Sequence, residues 1–250
     1  MQLKDKHIVI TGAGSGVGEA IARLLDQQGA RLTLLGRRQH VVTEVAQSLC
    51  QAQGLAADVS DYDGLASALH KARLAYGPVQ MVVANAGAVE SMPFGKLAAA
   101  DWQACIAVNL TGCFNTFRLC TQDMLDIGAG RMVAVASTAG LRGYPYVSAY
   151  VAAKHGVVGL VKSLALELAS KNISVNAVCP GYTRTPLLAG SIKRIADTTG
   201  CSLQQAEAQL LQDNPQGRLI EPAEVAESVL HLLLHASING QALTINGGEF

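Results

Sequence analysis

Short apolar runs alternate along the chain with longer segments whose apolar residues recur at helical spacing. The alternation predicts a sheet buried on both faces, because the runs are nearly continuous in apolar residues. The predicted strands span residues 7–11, 31–35, 55–57, 79–84, 131–136, 173–178 and 242–245. Helical periodicity starts at Glu19 and returns over 39–53, 61–76, 98–108, 110–127, 148–170 and 222–235. Strict alternation of strand and helix predicts an α/β fold, with right-handed crossovers and a doubly wound parallel sheet.

The stretch from about residue 183 to 217 interrupts this alternation. It is helical in composition and holds no predicted strand. Its apolar stripe consists of Leu187, Leu188, Ile192, Ile195, Leu203, Leu210 and Leu211. Two interpretations are open, an ordinary pair of surface helices or a flexible lid over a bound substrate.

Composition fits one large domain spanning 1–250, with the lid as an insertion. The chain has 250 residues, half of them apolar, and a mean hydropathy of +0.26. No apolar stretch is long enough to span a bilayer, and the first strand begins too close to Met1 to leave room for a signal peptide. The formal net charge is zero, which gives no reason to expect nucleic acid or an anionic membrane as partner.

The six cysteines form no CxxC pair, and no His lies at a spacing typical of zinc sites. Free thiols in a reducing compartment are the simplest interpretation, so we expect a cytoplasmic protein without a bound metal.

Tyr150 and Lys154 stand four residues apart in the longest predicted helix, so their side chains share one face. A phenol titrates near ~10 in water, and an ammonium beside it favours the phenolate and lowers its pKa. A Tyr tuned in this way can exchange a proton with a substrate oxygen near neutral pH, as interconversion of a carbonyl and an alcohol requires. Ser137, at the end of the fifth predicted strand, is a candidate third member of the site.

A glycine-rich turn, Gly12-Ala-Gly-Ser-Gly-Val-Gly18, lies between the first predicted strand and the first helix. This strand–turn–helix context is what a dinucleotide-binding loop requires. Glycines let the backbone approach a pyrophosphate, and the helix N-terminus offers free N–H groups to it.

The order and spacing of several motifs resemble those of the short-chain dehydrogenase/reductases. The motifs are Thr11-Gly-x3-Gly16-x-Gly18, Asn85-Ala-Gly87, Asn109, Ser137, Tyr150-x3-Lys154 and Pro180-Gly181. The resemblance runs from about residue 4 to the end of the chain. It implies a single-domain Rossmann-type fold, favours the helical lid, and implies an oxidoreductase that transfers a hydride between a nicotinamide cofactor and a ketone or secondary alcohol.

The resemblance also implies roles for individual residues. Tyr150 would be the acid/base, and Lys154 would lower its pKa and bind the nicotinamide ribose. Ser137 would stabilise charge on the substrate oxygen, and Asn109 would bend its helix and hold a water linked to Lys154. The implied cofactor contacts are Gly12, Ser15, Gly16, Val17, Gly18, Arg37, Asp58, Val59, Asn85, Gly87, Tyr150, Lys154, Pro180, Gly181, Thr183 and Thr185.

The choice of cofactor depends on the end of the second predicted strand. An acid there would bind the adenosine ribose hydroxyls and select NAD. The chain instead reads Gly36-Arg37-Arg38, and Arg37 can meet a 2′-phosphate. NADP(H) is therefore favoured, with NAD(H) as the alternative. One departure speaks against NADP(H): many NADP-using relatives carry a basic residue where this chain has Ser15.

Two groups within the family bear on the substrate. Local runs resemble the 3-hydroxybutyrate dehydrogenases, which grip a free carboxylate with Gln, His and Lys; the matching positions here are Val89, Ala139 and Val147. A buried carboxylate without donors is costly. The same runs resemble 3-ketoacyl reductases and 3-hydroxyacyl-CoA dehydrogenases, so a 3-oxoacyl or 3-hydroxyacyl thioester of CoA or a carrier protein is the favoured substrate. The candidate substrate contacts are Ser137, Ala139, Tyr144, Val147, Tyr150, Tyr182 and Leu188.

Arg142, Arg184, Lys193 and Arg194 are candidates to meet the phosphates of a CoA or carrier arm, although each is also explained as a solvated surface charge. Two other functions stay open. The chain could reduce a cyclic, steroid or polyketide-like ketone, or it could be a catalytically silent NADP-binding sensor or scaffold. The complete set of Asn109, Ser137, Tyr150 and Lys154 speaks against a silent protein.

Apolar residues surround much of the helix predicted at 148–170, which favours burial against a second subunit. We therefore expect a homotetramer with two-fold symmetries, and a dimer as the next choice.

Overall fold

The carboxyl ends of seven parallel strands meet along one edge of the sheet in a computed structural model that describes residues 3–212 and 214–250. The strands are β1 (His7–Thr11), β2 (Arg31–Gly36), β3 (Ala52–Ala56), β4 (Met81–Ala84), β5 (Gly130–Val135), β6 (Ile173–Pro180) and β7 (Ala242–Ile245). Their order across the sheet is β3-β2-β1-β4-β5-β6-β7, and every neighbouring pair is parallel. The predicted α/β class and doubly wound sheet are confirmed.

Helices cover both faces of this sheet. They are α1 (Gly16–Gln27), α2 (Gln39–Gln47), α3 (Tyr62–Tyr76), α4 (Ala99–Ile106), α5 (Gly112–Ile127), α6 (Ser148–Leu168), α7 (Pro186–Thr199), α8 (Leu203–Leu210) and α9 (Pro222–Leu234). Helices α3, α5 and α6 share one hydrophobic core with the sheet, and α1, α2 and α9 share the other. All residues of β1, β4 and β6 are buried, as expected for strands covered on both faces.

The chain around residue 50 differs from the prediction. Helix α2 ends at Gln47 rather than near residue 53, and β3 begins at Ala52 rather than at residue 55. Long-range contacts account for the difference: Asp26 accepts the Cys50 N–H at 2.8 Å, and the Gln51 carbonyl accepts the Leu32 N–H at 2.8 Å. Pairing with β2 therefore draws into the sheet residues whose local pattern is helical.

Residues Ala107–Thr111 form a π-helical turn between α4 and α5. The side-chain amide of Asn109 donates to the Cys105 carbonyl at 3.0 Å, one turn earlier, and to the Ala88 carbonyl at 2.8 Å outside the helix. The Asn109 amide thus links this turn to the loop that follows β4. The expected disturbance of the helix at Asn109 is present, in the form of a π-turn, a feature that often marks functional sites.

The segment predicted as a helical insertion contains α7 and α8. Ile192, Ala196 and Ala206 form a small core of their own, separate from the two cores of the sheet. Few apolar contacts join this helix pair to the rest of the fold. Within the described residues, no helix combines the length and hydropathy needed to cross a membrane.

Candidate active site

The strand order reverses between β1 and β4, and a hydrogen-bond network fixes the backbone there. The Thr11 hydroxyl accepts the N–H groups of Asn85 at 3.0 Å and Ala86 at 3.1 Å. In return, the Asn85 side-chain amide donates to the carbonyls of Thr11 at 3.0 Å and Gly12 at 3.1 Å. In open parallel sheets, ligands bind in the crevice at such a reversal.

A Cβ on any of the four glycines of this turn would lie 3.0 Å or less from a neighbouring atom. A Cβ on Gly18 would lie 2.3 Å from the Gly12 carbonyl oxygen, and one on Gly16 would lie 3.0 Å from the Thr185 methyl carbon. Gly12 and Gly16 also adopt φ values of 65° and 58°, which favour glycine. The open N-terminus of α1 and this bare backbone fit a bound pyrophosphate.

A cavity of about 830 Å³ follows the crevice along the carboxyl ends of the strands. Of the residues that the sequence predicts for the site, all but two line this cavity. The two exceptions, Gly18 and Asn109, lie behind the wall and support it.

Ser137 leaves β5 in an extended conformation and caps the short 3-10 turn Thr138–Gly140, where its Oγ accepts the Ala139 N–H at 3.1 Å. This turn packs directly on α6, because a Cβ on Gly140 would lie 2.7 Å from the Lys154 carbonyl oxygen. The packing places Ser137 beside Tyr150, and a hydrogen bond joins their side chains.

Burial raises the pKa of Tyr150 to about 12, and the hydrogen bond from Ser137 opposes this shift. The net shift of the Tyr150 pKa is therefore upward, opposite to the lowering expected from Lys154. The physical reason is desolvation of the phenol, while the Lys154 Nζ, 5.6 Å from the ring centroid, donates to the Val135 carbonyl at 2.8 Å. A phenol with this pKa stays protonated at neutral pH, so Tyr150 is prepared to donate a proton.

Lys154 is 4% exposed, and burial lowers its pKa to about 8. Removing an ammonium from water is unfavourable, and one backbone carbonyl compensates only part of the cost. A buried, weakly compensated lysine in a cavity is typical of a functional site.

Asn109 and Lys154 approach each other across Gly87. A Cβ on Gly87 would lie 2.9 Å from the Asn109 Oδ1 and 3.7 Å from the Lys154 Nζ. Asn109 is fully buried, and its Oδ1 also accepts the Ala88 N–H at 3.2 Å. Glycine at position 87 therefore leaves the space between the two side chains open.

At the opposite end of the cavity, Arg37 is exposed and forms no hydrogen bond or ion pair with any residue in the described part of the chain. Asp58 accepts the backbone and hydroxyl hydrogens of Ser60, at 2.9 and 2.6 Å, and the hydroxyl contact lowers its pKa. The N-cap of α3 is Asp61, so the Asp58 carboxylate does not cap this helix.

Thr183 and Thr185 hold the segment after β6 in place. The Thr183 hydroxyl donates to the Gly181 carbonyl at 3.0 Å, and the Thr185 Oγ1 caps α7 by accepting the Leu188 N–H at 3.2 Å. Both threonines line the cavity beside the glycine-rich turn.

The substrate end of the cavity has walls of aliphatic and aromatic side chains. Sequence reasoning missed part of this wall, including Val108, Pro145 and Ser191. A helical pattern identifies apolar faces, but it does not tell which of them borders a cavity. Among the described residues, no group of three or more His, Cys, Asp or Glu side chains could hold a metal ion.

Known proteins resemble this chain in sequence and in fold. The model of the short chain dehydrogenase family matches residues 6–195. A cyclohexanol dehydrogenase of an Acinetobacter species is 36% identical over 237 residues, covering 93% of this chain and 89% of the relative. A 3-oxoacyl-(acyl-carrier-protein) reductase of Thermotoga maritima is 34% identical over 258 residues, covering 99% of both. The crystal structure of an actinorhodin polyketide ketoreductase variant with NADPH has a TM-score of 0.94 and 35% identity, covering 100% of this chain and 99% of that one.

The chain belongs to the short-chain dehydrogenase/reductase family. It is an NAD(P)-dependent oxidoreductase that interconverts a ketone and a secondary alcohol.

Tyr150→Phe removes the transferable proton and keeps the ring. We expect kcat to fall by about 10²–10⁴-fold, since a placed proton donor contributes a factor of this size. Cofactor affinity, measured by nicotinamide fluorescence, should stay within about threefold, because the fold of the cavity is unchanged. Near-normal turnover of the variant would refute the assignment.

The pH dependence of the reaction rate in each direction provides a second test of Tyr150. A phenol with a pKa of about 12 donates well at all neutral pH values, so the rate of ketone reduction should be flat from about pH 6 to 8. Alcohol oxidation needs the phenolate, whose fraction rises about tenfold per pH unit below the pKa, so its rate should rise with pH. The phenylalanine variant should lose this dependence.

Proposed function

We propose that the protein reduces the ketone of a 3-oxoacyl thioester, carried by CoA or a carrier protein, with NADP(H) as cofactor. The proposal of an uncharged acyl substrate rests on one observation. Among the residues that the structure describes, the only charged side chains lining the cavity are Arg37, Arg38, Asp58 and Lys154. The first three lie at the adenine end, so no cation other than Lys154 faces the substrate.

A free 3-oxo acid is disfavoured for the same reason. Its carboxylate would sit among Val89, Ala139 and Val147, which offer it no charged or side-chain donor. Burying a carboxylate without such partners is costly. A thioester removes this charge and leaves its large head group outside the cavity.

Two of the four candidate contacts to the phosphates of that head group already form ion pairs within the protein. Arg184 forms an ion pair with Glu221 at 2.8 Å, and Arg142 pairs with Glu249 at 2.7 Å. Lys193 and Arg194 of the lid remain candidates to meet phosphate.

The proposed roles follow from the positions of the side chains. The glycine-rich turn, Arg37, Asp58, Asn85, Lys154 and the 180–185 segment would hold the cofactor, which when bound supplies the hydride. Ser137 would donate a hydrogen bond to the substrate oxygen, and Tyr150 would deliver its proton to the same atom as charge develops there. The raised pKa of Tyr150 favours this direction at neutral pH.

We propose that Lys154 and Asn109 return the proton to Tyr150. Lys154 lies beside the Tyr150 ring, and Asn109 is held behind Gly87 by its contacts with Ala88. In the family, this asparagine holds a water linked to the lysine. A pKa of about 8 lets Lys154 exchange protons near neutral pH.

We also propose that α7 and α8 act as a lid over the substrate. Leu187, Leu188, Ser191, Ile195 and Leu210 line the cavity from this helix pair. The pair has its own small core, so it can move without disturbing the main cores.

A cyclic or polyketide-like ketone is the second candidate. Three tyrosines, Tyr144, Tyr146 and Tyr182, line the substrate end, and flat aromatic walls suit ring-shaped substrates. Two proteins that are similar to this chain, a cyclohexanol dehydrogenase and a polyketide ketoreductase, support this alternative.

A substrate panel separates the candidates. It compares 3-oxobutanoyl-CoA and 3-oxooctanoyl-CoA with acetoacetate, cyclohexanone and 2-tetralone, each with NADPH and NADH. We expect kcat/KM, measured from the change in NAD(P)H absorbance, to be highest for a thioester and lowest for acetoacetate. Preference for the cyclic ketones would select the second candidate, and preference for acetoacetate would contradict the argument from charge.

We propose NADP(H) over NAD(H) because Arg37 is free to meet a 2′-phosphate. Arg37→Ala should lower the kcat/KM for NADPH by about 10- to 150-fold, corresponding to a charge-assisted contact of about 1.5–3 kcal/mol. The value for NADH should stay near that of the unaltered protein. Adding Gly36→Asp should move the preference further toward NADH.

Arg23→Ala is the matched control for loss of a positive charge. Arg23 lies on α1, pairs with Glu19 at 2.8 Å and does not line the cavity, so neither cofactor should be affected. Equal use of both cofactors before and after the Arg37 change would show that this loop does not set the preference.

We propose a cytoplasmic homotetramer, with a dimer as the next choice. Helix α6 buries Val157, Val161 and Leu168 against its own sheet, yet Leu166 on the same helix is 85% exposed. Light scattering at micromolar concentration should give four times the monomer mass of 26.1 kDa. A stable, active monomer would refute the assembly and leave the catalytic roles intact.

A further inference from the structure

The last residues of the chain lie against the substrate end of the cavity. After β7, Gly247 and Gly248 adopt φ values of 65° and 87°, a turn that glycine allows. The turn brings Glu249 beside the loop 141–147, which joins β5 to α6 and lines the cavity. The carboxylate of Glu249 is only 4% exposed, so it belongs to the interior although it is the second-last residue.

Glu249 is the acceptor at the end of a directed hydrogen-bond chain. The Tyr144 Oη lies 2.8 Å from the Glu249 Oε1 and 2.8 Å from the Thr138 Oγ1. A phenol has one hydrogen and a carboxylate accepts only, so Tyr144 donates to Glu249 and accepts the hydroxyl hydrogen of Thr138. Thr138 directly follows Ser137, which ties the chain to the candidate active site.

Arg142 neutralises the buried carboxylate. Its guanidinium lies 2.7 Å from the Glu249 Oε1, 4.7 Å from the centroid of the Tyr144 ring and 5.1 Å from that of Phe250. The charge of Glu249 is therefore compensated by Arg142, which belongs to the loop that Glu249 anchors.

The carboxylate also reaches the opposite wall of the cavity. A Cβ on Gly181 would lie 3.6 Å from the Glu249 Oε2, and the Tyr144 ring packs edge-on to Tyr182 at 6.3 Å. The loop is fixed at its other end as well, where the Tyr146 carbonyl accepts the Met92 N–H at 2.8 Å. Tyr146 has a φ of 66°, an unfavourable value for an aromatic residue that such anchoring must maintain.

We propose that Glu249 is a specificity-determining positioning residue, whose carboxylate holds Tyr144 at the substrate end of the cavity and thereby sets the size of ketone that fits. The inference rests on the proposed function, since it concerns the substrate of that same site. Glu249 lies beside Gly181 of the proposed cofactor segment but does not itself line the cavity, so we assign its effect on the substrate to Tyr144.

The test measures kcat and KM for a small and a large substrate of one kind. The pairs are 3-oxobutanoyl-CoA with 3-oxooctanoyl-CoA, and cyclohexanone with 2-tetralone. Glu249→Ala should raise the KM for the larger substrate about tenfold, the scale of a lost pocket contact, and change kcat and the small substrate's KM less than about twofold. Tyr144→Phe removes the same hydrogen bond, so it should raise the ratio of the larger to the smaller substrate's KM in the same direction, and the double variant should have a ratio no higher than either single one.

Two further variants isolate the carboxylate. Glu249→Gln keeps an oxygen that accepts from Tyr144, so it should restore most of the lost selectivity. Phe250→Ala removes only a half-exposed ring beside Arg142 and should match the unaltered protein. If Glu249→Ala does not fold, the Glu249→Gln and Tyr144→Phe variants test the proposal, through the ratio of the KM for the larger substrate to the KM for the smaller one.

Selectivity within about twofold of the unaltered protein in Glu249→Ala and Tyr144→Phe would overturn the inference. So would an equal loss of kcat for both substrates, which indicates general structural damage, or a shift in Phe250→Ala as large as in Glu249→Ala. If the unaltered protein turns over neither pair, the proposed function fails instead.

Discussion

The hydrogen bonds between Thr11 and Asn85 fix the point on which the rest of the site depends. Parallel strands end together, and at the reversal of strand order their connections diverge to opposite faces. Without a link, the loops after β1 and β4 would separate there. The Thr11–Asn85 contacts hold the glycine-rich turn and the 85–88 loop at one separation. The cofactor cavity and the wall behind Lys154 both start from these two loops.

Burial of polar groups is the second constraint, and it has an energetic cost. Lys154 and Asn109 lie almost fully inside the protein, and backbone carbonyls satisfy part of their hydrogen-bonding capacity. The same burial raises the pKa of Tyr150 and lowers that of Lys154. At neutral pH, burial therefore keeps Tyr150 protonated and makes Lys154 the more acidic of the two groups, so both pKa shifts and the cost of the buried charge have one physical origin.

The two ends of the cavity differ in how they are built. The cofactor end consists of strand termini and a helix N-terminus, which the main cores hold rigidly. The substrate end consists of the loop 141–147, the segment after β6 and the separately packed α7 and α8. Loops of this kind need additional anchors, and the C-terminal residues supply them through Glu249. Under the proposed function, changes confined to these loops would alter substrate choice without altering the sheet or the cofactor crevice.

The sequence by itself determined the order of elements, the glycine-rich turn and the pairing of Tyr150 with Lys154, because each depends on local spacing along the chain. It also identified a set of site residues of which all but Gly18 and Asn109 line the cavity; their individual roles stay predictions. Tertiary structure decided the rest. Residues 52–54 are strand because β2 lies beside them. The pKa of Tyr150 is raised because the fold shields the phenol from water. Arg142 forms an ion pair with Glu249, which lies more than a hundred residues away along the chain. Burial and long-range pairing depend on which elements pack together, and no local pattern in the chain contains that information.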